Sequence, residues 1–209
     1  MTRGRFITLE GIEGVGKSTQ ARALADVLRS AGYDVLATRE PGGTPVADRI
    51  RALLLDPDGN GPAVDTETLL VFAARAEHLA TRVRPALAAG HWVVCDRFTD
   101  ATYAYQGGGR GIPNERIATL EQWVHADLVP DRTILLDAPV DTALARARGR
   151  AEADRFEREA AAFFERARAT YLARAQAEPE RFRIVDACAE PETVRARVIA
   201  AVSDLLDPT

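Results

Sequence analysis

Eight residues near the start of the chain, Gly11-Ile12-Glu13-Gly14-Val15-Gly16-Lys17-Ser18, fit the pattern G-x-x-x-x-G-K-[ST]. Glycines at these positions let successive backbone N–H groups converge on one point, and the lysine adds a compact positive charge beside them. Such a cradle suits phosphate oxygens. Lys17 would face the β- and γ-phosphates of a nucleotide, and the Ser18 hydroxyl would ligate Mg²⁺. ATP with Mg²⁺ is therefore the expected ligand pair, held by Gly11, Ile12, Glu13, Gly14, Val15, Gly16, Lys17, Ser18 and the adjoining Thr19. The chain has 27 basic residues and Lys17 is its single lysine. Codon bias accounts for the excess of arginine and for a lone lysine left by chance; the sharper reading is that Lys17 stands where a planar guanidinium fork cannot replace an ammonium on a flexible stem.

A phosphate-binding loop does not distinguish a kinase from a GTPase switch or a motor ATPase. A guanine-reading Asn-Lys-x-Asp segment is excluded because no lysine follows Lys17, and Asp56-Pro57-Asp58-Gly59 matches a switch-type D-x-x-G only as a turn-rich loop. Asp96-Arg97 points elsewhere. It directly follows the apolar run Trp92–Cys95, where a carboxylate can hold Mg²⁺ or its waters and a guanidinium can bridge donor and acceptor phosphates. Ser18 and Asp96 are thus the candidate metal ligands, and Lys17 and Arg97 candidate catalytic groups.

The elements that must position these residues alternate. Short apolar runs at Phe6–Leu9, Asp34–Thr38, Trp92–Cys95, Thr133–Leu136 and Phe182–Val185 read as strands. Between and after them, helical spacing runs over Ser18–Leu28, Val46–Leu55, Thr66–Ala89, near Ala101 and Ile117, through the Ala/Arg/Glu-rich stretch Ala143–Ala177, and over Glu192–Leu206. This order predicts an α/β fold, a five-stranded parallel sheet doubly wound with helices on both faces, as in P-loop NTPases. Ligands of such sheets sit beyond the carboxyl ends of the strands, which is where Gly11 and Asp96 fall.

Further motifs, Arg39-Glu40-Pro41-Gly42-Gly43-Thr44, Asp96-Arg97-Phe98 and Ala104-Tyr105-Gln106-Gly107-Gly108-Gly109-Arg110-Gly111, follow the loop in this order. Together they resemble the thymidylate kinase family, bacterial type, over about Phe6 to Asp186. The resemblance implies a phosphotransferase moving the γ-phosphoryl of ATP to dTMP, in one nucleoside-monophosphate-kinase-like domain over 1–209. It places Glu13 on the sugar 3′-hydroxyl, Arg97 on the acceptor phosphate and Arg75 on the thymine carbonyl. Thr102 and Gln106 lie beside the base, Tyr105 crowds the sugar 2′ position, and Arg39, Pro41 and Arg51 join the substrate site. Val15 is the apolar loop residue of the bacterial members, where others carry a basic one. The missing charge is then expected from a lid at about 147–156, within the cluster Arg146, Arg148, Arg150 and Arg155, with Arg150 and Arg155 as the catalytic choices. One departure concerns the aromatic that stacks on the base four residues before the base-reading arginine. Here that position is Val71, and the aromatic is Phe72, which is carried as a base contact.

The bulk properties agree with this frame. The 209 residues, 46% hydrophobic and 28% charged, suit one globular domain. A formal net charge of −4 argues against nucleic acid as a partner. No apolar run approaches the ~20 residues of a membrane span, and the basic N-terminus lacks a signal-peptide core, so a cytoplasmic location is expected. Cys95 and Cys188 are too few for a disulfide framework. A symmetric homodimer is the family's usual assembly. Another small-molecule kinase of this fold, or an ATP-binding module without transfer, are the competing readings.

Overall fold

The computed structural model describes residues 4–56, 61–148, 156 and 159–206, apart from the Arg148 side chain. Five strands, β1 (Phe6–Glu10), β2 (Val35–Arg39), β3 (Trp92–Asp96), β4 (Arg132–Asp137) and β5 (Phe182–Asp186), pair in the order β2-β3-β1-β4-β5. All four pairings are parallel. Every residue of β1 is buried, as a central strand covered on both faces requires, whereas the edge strands β2 and β5 are partly exposed. The strand order reverses at β1, with β3 on one side and β4 on the other, so a crevice opens at its carboxyl end.

Helix α1 (Lys17–Ser30) buries Ala21, Leu24, Ala25 and Leu28, spaced along one helical stripe, against the sheet. Pro45 opens α2 (Pro45–Leu55), and the Thr44 hydroxyl caps it by accepting from the Ala47 N–H at 3.1 Å. The long helix read over Thr66–Ala89 is α3 (Val64–His78), a π-helical turn (Leu79–Val83) and α4 (Arg84–Ala88). The widened turn falls directly ahead of Pro85, which has no N–H for the helical ladder. After β3 come α5 (Thr99–Thr102), a second π-helical segment (Tyr103–Gly109) and α6 (Asn114–His125).

That second segment packs on α8 (Ala161–Ala177), and its glycines explain how closely. A Cβ on Gly108 would lie 2.1 Å from Thr170 Oγ1, and one on Gly109 2.3 Å from the Phe163 ring. Arg166 of α8 donates to the Gly108 and Gly109 carbonyls, at 3.1 and 2.8 Å. The stretch read as helical over Ala143–Ala177 is divided between α7 (Val140–Arg148) and α8. The last helix also ends sooner than its periodicity suggests: α9 (Pro191–Ala200) stops, and a 3₁₀ turn at Ser203–Leu205 brings Asp204 to Arg132 at 2.6 Å. Among the described residues no helix is long and apolar enough to cross a membrane.

Candidate active site

The loop between β1 and α1 bends through left-handed glycines, with φ of 79° at Gly14 and 92° at Gly16. A Cβ on Gly14 would meet the Ala143 carbonyl of α7 at 1.8 Å, so only glycine lets the loop lie there. Ile12 and Val15 turn their side chains into the core, and Thr19 faces solvent. Lys17 is buried, and its Nζ donates to the Ile12 carbonyl at 2.7 Å. Burial, followed by the charge of Arg97, pushes its pKa down to about 8. The amine therefore sits where an arriving anion would restore its full charge. The Ser18 hydroxyl donates to Asp96 Oδ2. Asp96 Oδ1 is buried without a partner among the described residues, an acceptor that a cation would satisfy.

Arg97, just past β3, is the single described residue other than glycine with a left-handed backbone, φ 74°. Its neighbours over-determine that conformation. Nη2 donates to Glu13 Oε1 at 2.6 Å and Nη1 to the Gly11 carbonyl at 3.1 Å, with the Tyr105 and Tyr171 hydroxyls at 3.2 and 3.3 Å. The Tyr105 hydroxyl also donates to Glu13. Beneath the turn, Glu10 accepts from the Phe98 N–H at 2.6 Å and the Tyr171 hydroxyl at 2.8 Å. Burial, then the nearby Asp100 charge, pushes the Glu10 carboxyl up to about 8.

Of these groups, Glu13, Lys17, Ser18, Asp96, Arg97 and Tyr105 line one end of a cleft of about 250 Å³. Its other end is built on Arg75, which is 1% exposed. Nε donates to Glu40 at 2.7 Å and Nη2 to the Phe98 carbonyl and Thr102 Oγ1 at 3.1 Å, while Nη1 has no partner among the described residues. Glu40 also bonds His78 Nδ1 at 2.9 Å. Burial alone would raise its pKa, but the Arg75 charge and the His78 contact outweigh burial and lower it. Gln106 lines the same end. At the rim, Arg39 lies 3.7 Å from Asp48 and Arg51 donates to the Pro41 carbonyl at 3.0 Å.

Most residues singled out from the sequence thus converge on this cleft: Glu13, Gly14, Gly16, Lys17, Ser18, Asp96, Arg97 and Tyr105 at one end, and Arg39, Pro41, Arg51, Arg75, Thr102 and Gln106 at the other. Phe72 is the exception that needs correcting. It is 2% exposed and packs with Tyr103 and Ile117, while Val71 lines the cleft. One residue turns a helix by about 100°, and α3 keeps its register, so the aromatic goes into the core. From there it supports Arg75, whose guanidinium lies 4.8 Å from the ring centroid. Arg146 is tied to the Ala187 carbonyl at 2.6 Å. Arg150 and Arg155, and most of the expected lid, lie outside the described residues. Sequence reading passed over Glu10, Glu40, His78 and Tyr171 as supports of the site. Glu10 gave a signal, as a charge ending a buried strand, and Glu40 lies inside a recognised motif; His78 and Tyr171, on helices, gave none.

A parallel sheet with a phosphate-binding loop at its reversal point, facing a second cationic pocket across one cleft, defines a P-loop phosphotransferase fold. A family model described as thymidylate kinase matches residues 9–198. Thymidylate kinases of Pseudomonas syringae pv. tomato and Bordetella petrii are similar at 59% and 58% identity, over 204 residues (98% of this chain, 97% of that one) and 205 residues (98% of each). A crystal structure of thymidylate kinase from Ehrlichia chaffeensis superposes with a TM-score of 0.79 at 32% identity, covering 96% of this chain and all of that one. The chain belongs to the thymidylate kinase family.

Proposed function

We propose that the chain transfers the terminal phosphoryl group of ATP to dTMP, giving dTDP and ADP for nucleotide biosynthesis. The observation that carries this reading is the single cleft joining Lys17 and the glycine loop to Arg97 and Arg75. ATP lays its phosphates on the loop, with Lys17 against the β- and γ-phosphates. Arg97 takes the acceptor phosphate and holds it in line, so that an oxygen of dTMP bonds to the γ-phosphorus as the bond to the bridging oxygen of ADP breaks. Glu13 accepts from the sugar 3′-hydroxyl, and Tyr105 crowds the 2′ position. Arg75 reaches the thymine carbonyl, with Thr102 and Gln106 beside the base and Arg39, Pro41 and Arg51 at the rim. Ser18 and Asp96 would hold Mg²⁺, which would neutralise charge on the phosphates; Asp96 Oδ1, without a partner among the described residues, fits that role. Arg150 and Arg155 belong to the lid at about 147–156 that completes a single domain over 1–209.

The proposal extends to a homodimer in the cytoplasm. Trp123 of α6 is 82% exposed, and Leu53 of α2 and Leu69 of α3 are also exposed, apolar surface that a second copy would cover. An ADP-release assay with ATP and dTMP, dUMP or thymidine tests the activity. ADP formed fastest with dTMP supports it; ATP binding without ADP formation for any acceptor would leave only a binding module.

A further inference from the structure

We propose that Glu67 sets the chain's choice among pyrimidines, by fixing the Gln106 amide so that its carbonyl is the group offered to the base. Bases bearing a hydrogen on N3 are thereby selected, and cytosine is rejected. The inference rests on the reading of the Arg75 end of the cleft as the base site.

Glu67 lies on α3, one and two turns before Val71 and Arg75, which both line the cleft, yet it is itself fully buried. A buried acidic side chain here calls for a reason. Its Oε1 accepts from Gln106 Nε2 at 2.8 Å and from Arg110 Nε at 3.4 Å. Arg110 is held in turn by Glu159 at 2.6 Å and by the Phe163 ring, 5.0 Å from its guanidinium. The anchor is therefore fixed from three sides.

A carboxylate paired with a guanidinium only accepts hydrogen bonds, so the half of the Gln106 amide that faces it must be the NH₂. That leaves Gln106 Oε1, to which no described residue donates, as the remaining group of a side chain lining the cleft. In the same cleft, Arg75 Nη1 is a buried donor without a partner among the described residues. Donor and acceptor together complement a base edge that carries a carbonyl at C4 and N–H at N3, as thymine and uracil do. Cytosine inverts both positions. Its N4 amine would face the arginine, its bare N3 the carbonyl oxygen, and each mismatch would leave a buried polar group unsatisfied. The thymine methyl takes no part in this choice.

The test compares kcat/KM for dTMP, dUMP and dCMP in Glu67→Met and Glu67→Gln. In Glu67→Met the Gln106 carbonyl is drawn to the Arg110 guanidinium and the amine turns to the cleft. The dTMP-over-dCMP preference should fall about 10- to 100-fold while dTMP over dUMP stays unchanged. In Glu67→Gln, Arg110 holds the new amide oxygen where Oε1 stood, and the preference should return. Equal losses on all three substrates in Glu67→Met, or an unchanged dTMP-to-dCMP ratio, would overturn the proposal. If Glu67→Met does not fold, the exchange Glu67→Gln with Gln106→Glu, which again puts an acceptor in the cleft, takes its place. A preference kept supports the proposal, and one lost overturns it. Wild-type protein that used dTMP and dCMP equally would refute this inference alone, whereas inactivity on every nucleotide would refute the proposed function.

Discussion

Replacing Lys17 with methionine should make the protein more stable and nearly inactive. The amine is buried, and its pKa is brought from the ordinary 10.5 down to about 8. At roughly 1.4 kcal/mol per tenfold, holding the charged form in the fold below pH ~8 costs about 3 kcal/mol. Methionine keeps most of the apolar stem and loses one hydrogen bond, to the Ile12 carbonyl, worth about 1 kcal/mol. A net gain of about 2 kcal/mol near neutral pH follows, or roughly 4–8 °C in Tm for a chain of this size. Between about pH 8 and 10.5 the unfolded chain still holds the proton that the folded protein has released, so wild-type stability rises with pH there and the gap closes. Turnover should drop by at least ~10²–10³, the loss expected when a preorganised charge facing the transferring group is removed. Denaturant unfolding near pH 7 and 10, beside an ADP-release assay, reads both. A variant less stable than wild type near neutral pH, or one keeping a tenth of its turnover, would refute the reasoning.

Arg75→Ala should cost about 3–5 kcal/mol of stability, because it strands the buried Glu40 carboxylate, and denaturant titration would show it. Gly108→Ala should destabilise by about 1–3 kcal/mol, since its Cβ would meet Thr170 Oγ1 at 2.1 Å, whereas Gly107→Ala, with its nearest atom at 3.2 Å, should cost less in the same measurement. Discrimination of dTMP from dUMP should be about 10–200-fold in kcat/KM, because it rests on one methyl group. A ratio near 10⁵ would mean a polar reading of the base beyond the Arg75 and Gln106 contacts, which thymine and uracil share.

The sheet was legible because each strand is a short apolar run ending in a glycine or a charge, and Phe6–Leu9 and Trp92–Cys95 differ from β1 and β3 only by the terminal carboxylate. The loop glycines and Lys17 were equally plain, since their role is local. Phe72 and Val71 were not separable, because side-chain direction depends on a helix register that no nearby residue signals. Nor was the break before Pro85, or the early end of α9, as each depends on what the helix meets in three dimensions. The deepest part of the site was also hidden. Glu40 with His78, and Glu10 with Tyr171, join positions 38 and 161 residues apart, and no spacing rule reaches that far.

The contact between Arg97 and Glu13 has a consequence for what may enter. The guanidinium is paired with the Glu13 carboxylate across 2.6 Å, so in the proposed reaction the acceptor phosphate trades places with an internal carboxylate instead of meeting a bare cation. A doubly charged phosphate monoester can drive that exchange. An uncharged nucleoside brings nothing to swap, so under the proposed reaction thymidine should be a poor acceptor beside dTMP.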